Sequence, residues 1–186
     1  MEKIGIDISI SPYPMPVALV GVIVTGKANF MTVAWLSKAN SNPPIWVVAI
    51  GKSQYTSAGI KENGTFSINF PNASLIEKTD YCGIMSGKKT DKSQLFDVFY
   101  GELETAPMIR ECPLCLELKL RDTIQLPRTY LFLGEVIKAY TEEQYLTEGK
   151  LDIHKTAPIL FTGLDNDYWA IGEHLAKAFS VGKKLK

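Results

Sequence analysis

NFMTVAWLSKANSNPPIWVVAIGKSQYT, residues 29–56, joins two chemically different segments through one short turn. Asn29, Met31, Thr32, Val33, Ala34 and Trp35 stand on an extended run in which polar and apolar groups alternate. Pro43-Pro44 breaks that run, and the β-branched stretch Ile45 to Ile50 then reads as a buried central strand. Gly51-Lys-Ser-Gln-Tyr-Thr56 follows it and opens a helix over residues 53–62, with Ser53 as the expected N-cap. A planar polar ring suits the first segment. A phosphate suits the second, because a helix start offers unpaired N–H groups and a positive dipole end beside Lys52, Ser53 and Thr56.

Working outward, Val17 to Thr25 predicts a strand and Gly26-Lys27 a hairpin turn into the extended run 28–36. Asn63-Gly64 stops the helix and leads to a strand over 65–70. A second helix is expected over 73–81, capped by Asn72, and then a loop over 82–97, where periodicity gives way to Gly and Lys. Residues 114–125 and 129–140 are the longest alternating runs, and Leu126-Pro127-Arg128 suits a hairpin between them. A short strand at 158–162, the pair Tyr168-Trp169 and an amphipathic helix over 171–179 complete the reading. Strands dominate, and antiparallel neighbours joined by short turns close most economically as a small barrel with peripheral helices.

The 186 residues, 46% of them apolar, suit one domain with a real core. Lys plus Arg equals Asp plus Glu at 20 each, which leaves no global field to gather nucleic acid or anionic lipid. The longest apolar stretch, Met15 to Val24, is about half of what a bilayer crossing needs, so no membrane role is expected. No secretory leader pattern is visible, and a soluble cytoplasmic protein is expected.

Neither His154 nor His174 stands in a cluster with metal spacing, and no metal site is expected. Cys112-Pro-Leu-Cys115 has the form of a redox or zinc pair. It lies at the start of an alternating strand, however, where a spacing of three puts the sulfurs on opposite faces, so core thiols are the better reading. Cys82 beside Lys88 and Lys89 reads as packing rather than as a nucleophile. There is no G-x-S-x-G elbow for a hydrolase and no G-x-G-x-x-G for a doubly wound dinucleotide fold.

Read in order, the chain resembles the flavin reductase-like, FMN-binding split-barrel family, most closely its flavoredoxin branch. The residues that carry this are Asn29-x-Met31-Thr32-x-Ala34-Trp35, Pro43-Pro44, Ser53-x-x-Thr56, Phe66-Ser-Ile-Asn69, Cys82-Gly83, Ser86-Gly87, Asp91-Lys92, Glu111-Cys112-Pro113, Phe132-Leu-Gly-Glu-Val136 and Tyr168-Trp169. The resemblance implies a Greek-key antiparallel split barrel as a single domain over residues 1–186, with FMN as cofactor. It implies that the ring lies along residues 29–35 and Ile50, that Lys52, Ser53 and Thr56 hold the phosphate, and that Lys92 reaches the flavin or its phosphate. Thr129 stands where flavoredoxins commonly carry a histidine near the flavin, and Arg128 there offers a fixed positive charge.

The activity so implied is transfer of electrons or hydride between a reduced donor, NAD(P)H or a redox protein, and a small acceptor or partner protein. The flavin N5 carries the chemistry, and no catalytic side chain is required. A homodimer is implied as well. Use of FMN as a diffusible substrate, and a binding module without turnover, stay open alongside it.

Overall fold

The computed structural model describes residues 1–9 and 14–185. Its strands are β1 (Met15–Pro16), β2 (Ala18–Val24), β3 (Lys27–Val33), β4 (Leu36–Ser41), β5 (Pro44–Gly51) and β6 (Thr65–Phe70). They continue with β7 (Val98–Phe99), β8 (Met108–Ile109), β9 (Leu114–Gln125), β10 (Thr129–Tyr140), β11 (Leu146–Thr147), β12 (Lys150–Leu151), β13 (Leu160–Thr162) and β14 (Asp167–Trp169). The helices are α1 (Tyr55–Asn63), α2 (Ile76–Ile84) and the single turn α3 (Ile153–Thr156).

The main sheet runs β3-β2-β6-β9-β10-β5-β4 and is antiparallel throughout. Its two outermost strands, β3 and β4, are consecutive in the chain and separated only by Ala34 and Trp35. Laid flat, six strand spacings would hold those edges about 29 Å apart. The step from Val33 to Leu36 spans at most about 11 Å. The sheet therefore has to curl until its ends meet, and the Ala49 N–H donating to the Trp35 carbonyl at 2.9 Å ties the bridging dipeptide to β5.

Period-two alternation sorts side chains between two cores. Val20, Val22 and Val24 point into the barrel with Val48, Ile50, Phe66, Ile68, Leu118 and Phe132, all at most 3% exposed. Leu19 and Phe30 face outward and are covered by α2 and by segment 96–112, which supplies Phe96, Met108, Ile109 and Cys112. That outer face also holds Ser67, Asn69 and Glu117, each fully buried and each satisfied. The Asn69 carboxamide donates to the Leu19 carbonyl at 3.0 Å and accepts from the Ile109 N–H at 3.1 Å, and the Ser67 hydroxyl donates to the Pro107 carbonyl. Buried polar groups are tolerated when paired, and here they fasten a long connection to the sheet.

The expected strands over 17–25, 45–50, 65–70, 114–125 and 129–140 all form. The hairpin at 126–128 is closed by the Leu126 N–H donating to the Thr129 carbonyl at 2.9 Å. Gly64, at φ +66°, ends α1 in the left-handed conformation as its position suggested. The first turn falls at Thr25-Gly26, one residue earlier than expected, with both residues at positive φ. Strand β5 pairs on both sides yet lies next to the sheet edge in strand order.

Other expectations are corrected. Leu36–Ser41 is a strand that the sequence did not announce. The second helix begins as a 3-10 turn over Ala73–Leu75, with the Asn72 side chain accepting from the Ser74 N–H as expected, and then runs to Ile84, so Cys82 and Gly83 are helical. Residues 171–179 form no helix: the segment has no regular structure up to a turn at 178–180, Phe179 lies at φ +60°, and all of 172–185 is exposed. An isolated nine-residue helix is marginal in water unless its apolar stripe packs on something, and here Leu175 and Phe179 of that stripe are left almost fully exposed. Among the described residues no helix is long and apolar enough to cross a membrane.

Candidate functional site

Three segments converge at one rim of the barrel: the middle of β3, the first turn of α1, and the C-terminal end of α2 with the residues that follow it. They enclose a pocket of about 150 Å³ lined by Asn29, Met31, Tyr55, Thr56, Cys82, Gly87 and Lys92, among others. Asn29 and Thr56 are 5% and 2% exposed, and the Asn29 amide donates to the Thr56 hydroxyl at 2.9 Å. Opposite them the backbone comes very close. A Cβ on Gly87 would stand 2.0 Å from Asn29 Oδ1 and 2.9 Å from the Tyr55 ring, so only glycine fits there.

The turn into α1 is built without Ser53. The Gln54 N–H and the Ser57 hydroxyl both bond the Gly51 carbonyl, at 3.1 and 2.9 Å, which folds the chain back at the end of β5. Gln54 is the N-cap, in an extended conformation and with no side-chain hydrogen bond to the helix, while Ser53 is exposed. The expected Ser53 cap is therefore corrected. An uncapped helix start leaves its first N–H groups without an intrahelical partner, and this one opens onto the pocket.

Lys92 is only 3% exposed, although its sequence neighbourhood reads as a solvated run. Its ammonium donates to the carbonyls of Cys82 at 3.1 Å and Met85 at 2.9 Å. Those carbonyls lie at the C-terminal end of α2, where such groups lack helical partners and the dipole favours a cation. Burial pushes the Lys92 pKa below its ordinary 10.5, and the neighbouring Cys82 acts in the opposite sense. An ammonium has three donors, so the two carbonyls leave one N–H for the pocket.

The remaining candidate positions divide into groups. Met31 lines the same pocket as Asn29. Thr32 lies on the other side of β3 and its hydroxyl donates to the Thr79 carbonyl of α2. The Val33 and Ile50 side chains are in the barrel core, which leaves only their backbones for other contacts. Ala34 and Trp35 form the bridge between β3 and β4, and the Trp35 side chain is 59% exposed. Lys52, Ser53 and Thr129 sit together at the neighbouring rim: Thr129 pairs with Gly51, and the Lys52 N–H donates to the Arg128 carbonyl at 3.0 Å. The Lys52 ammonium lies 5.3 Å from the Tyr130 ring centre, with that of Lys61 at 4.8 Å. Tyr55 and Lys61 are contributions that sequence reasoning did not single out.

All three thiols are buried. Burial pushes Cys82 up to about 11, against the pull of Lys92, and Cys115 up to about 12, while Cys112 rises well above 9.0 for the same reason. These groups stay protonated and are poor nucleophiles. Cys112 and Cys115 do not lie on opposite faces of a strand as expected. Cys112 sits in a turn before β9, its N–H donating to the Ile109 carbonyl at 3.1 Å, and both cysteines line one cavity with Phe99 and Tyr140. Among the described residues no group of three or more His, Cys, Asp or Glu is placed to hold a metal ion.

Comparison with known proteins bears on this arrangement. The crystal structure of flavoredoxin from Methanosarcina acetivorans is 53% identical and superposes with a TM-score of 0.98 over 100% of both chains. Flavoredoxin of Desulfovibrio vulgaris (Miyazaki F) is 36% identical, with a TM-score of 0.90 over 98% of this chain and 100% of that one. An uncharacterised protein of Aeropyrum pernix is 28% identical over 169 residues, 88% of this chain, which spans only 63% of that relative's length. The description "Flavin reductase like domain" matches residues 10–161. With a mainly antiparallel barrel closed at Ala34-Trp35 and a family match over most of its length, this chain belongs to the flavin reductase-like family and has its split-barrel fold.

Proposed function

We propose that this protein is an FMN-binding oxidoreductase that passes electrons or hydride between a reduced donor, NAD(P)H or a redox protein, and a small acceptor or partner protein. The observation that carries the reading is the meeting of an uncapped helix start with a buried lysine in one pocket, at the edge of the strand that closes the barrel. Such a pocket suits a single phosphate, because N–H groups and a fixed cation converge on it in a partly desolvated setting. Gly87, pressed against Asn29 and Tyr55, adds no side chain to this wall of the pocket.

FMN bound there would supply a ring able to take a hydride or single electrons, chemistry that side chains lack. The chain's own residues bind and orient. Lys92 and the first turn of α1 anchor the phosphate, and the Asn29–Thr56 bond fixes that anchor relative to β3. Backbone groups of residues 31–35 run from the pocket to the barrel seam and offer donors and acceptors to a planar edge. Thr32 contributes in this way through its backbone, its hydroxyl being committed to α2. Lys52, Ser53 and Thr129 supply polar groups at the adjoining rim.

A pocket of about 150 Å³ takes a phosphate and part of its tail, leaving the ring outside it. Ile84, which lines the pocket, is 71% exposed, and Trp35, further along the run that carries Met31, is 59% exposed. Both observations support a homodimer in which the second copy adds the missing wall. The buried free thiols suit a reducing compartment such as the cytoplasm.

The test is the absorption spectrum of the purified protein, before and after desalting, with mass identification of the released chromophore. A yellow protein that retains FMN and is bleached anaerobically by a nicotinamide or a reduced carrier supports the reading. A colourless protein that FMN does not stabilise against heat overturns it.

A further inference from the structure

We infer that the segment 170–185 is an exchanged arm that docks on a second copy of this chain. The inference goes beyond the pairing proposed above by naming the element that holds it, and it rests on that reading only for the existence of a pair.

The arm carries large apolar side chains that its own chain leaves in solvent: Leu175, Phe179 and Leu185 are 95%, 98% and 92% exposed. Its hydrogen bonds within the described residues are internal, from the Val181 N–H to the Lys177 carbonyl at 3.2 Å and from the Lys183 N–H to the Ser180 carbonyl at 3.0 Å. Single exposed apolar residues are ordinary, but a run of large ones at near-full exposure marks a surface meant for contact. The arm leaves the body beside the proposed site. Tyr168, two residues before it, donates to the Asp80 carboxylate of α2 at 3.0 Å and fixes the take-off point against the helix whose end closes the pocket.

A second copy is the occupant that fits. The M. acetivorans superposition extends over 100% of both chains at a TM-score of 0.98, which leaves no room for a terminal arm on a different path. A segment without contacts to its own body keeps one path in a related crystal structure when something outside the chain holds it. Exchange of identical arms across a two-fold axis satisfies both protomers by the same contact. The balance of 20 basic against 20 acidic residues puts no net repulsion between copies.

The experiment compares the full-length protein with the variant Leu175→Asp/Phe179→Asp by analytical ultracentrifugation and by limited trypsin digestion, following cleavage after Lys177, Lys183 and Lys184. Native protein is expected to sediment as a dimer with the arm protected. The variant is expected to raise the dimer dissociation constant by about 100-fold or more and to expose Lys177 to cleavage. Circular dichroism identifies a variant that has lost its fold, in which case Phe179→Ser alone serves. A variant dimer of unchanged affinity, or a native dimer with Lys177 freely cut, overturns the arm and leaves the pairing intact. A monomeric native protein overturns both.

Discussion

The Asn29 side-chain amide donates to the Thr56 hydroxyl at 2.9 Å across twenty-seven residues of sequence, both side chains almost fully buried. This bond fixes the start of α1 against β3, the two halves of the proposed cradle. Thr56→Val keeps the shape and removes the acceptor, leaving a buried amide unpaired. We expect a loss of about 1–3 kcal/mol of stability, read by urea denaturation, together with weaker FMN retention. Thr56→Ser should restore both, and a valine variant with native FMN affinity would contradict the placement.

Lys92 ties FMN binding to alkaline pH. An anion is held by the protonated amine, and burial has moved this group's proton loss below the ordinary 10.5. Affinity for FMN should therefore decline as pH rises toward 10.5, earlier than for a solvated lysine. Lys92→Met should bind more weakly at neutral pH, by roughly tenfold or more if one charge-assisted bond is lost. It should also lack the alkaline decline. Titration of FMN fluorescence against pH for both proteins decides it.

Glu117 on β9 accepts from the Leu103 N–H at 2.5 Å and from the Tyr140 hydroxyl at 3.0 Å, and so anchors the connection that covers the outer face. Glu117→Ala leaves two donors stranded and should cost about 3 kcal/mol in chemical denaturation, with Glu117→Gln milder because an acceptor remains. Flavin content should hardly move in either variant, since the pocket lies elsewhere. An alanine variant within about 0.5 kcal/mol of the native protein would remove the anchor role.

The thiols give a chemical and a thermodynamic readout. At pH 8 the native protein should react with almost none of a thiol reagent, and the denatured chain with three equivalents. Their folded pKa values lie above the ordinary 9.0, near 11 for Cys82 and near 12 for Cys115, so the folded state keeps protons that the unfolded chain releases. Stability should accordingly be unaffected by these groups well below pH 9 and fall as pH climbs past 9. Cys82→Ala should lessen that fall.

Most of the barrel is written in the sequence because its strands are half-buried, and alternate residues then have to differ in polarity. Leu36–Ser41 escaped because only Leu36 points inward while Ser37 to Ser41 are wet on both sides, so no alternation exists to be seen. The stripe at 171–179 misled for the opposite reason: the periodicity is real, but it has no surface within one chain to pack upon. Ser53 looked like the cap because it precedes the helix, whereas the Ser57 hydroxyl, from inside α1, makes the bond to Gly51. For Lys92 the composition pointed to a solvated charge, and its burial comes from a helix end ten residues earlier in the chain that only the tertiary structure brings close. Asn29 and Thr56 were legible as candidates, while their contact with each other was not.

Ala34 and Trp35 do two jobs in a single dipeptide, closing the cylinder and continuing the strand along which the ring is proposed to lie. Length is consequently the least negotiable property of the molecule at this point. An extra pair of residues would slacken the join, let the two strand margins drift apart, and turn a self-contained tube into an open ribbon with adhesive borders. Natural variation is thus expected to tolerate exchanges of side chain here far better than insertions.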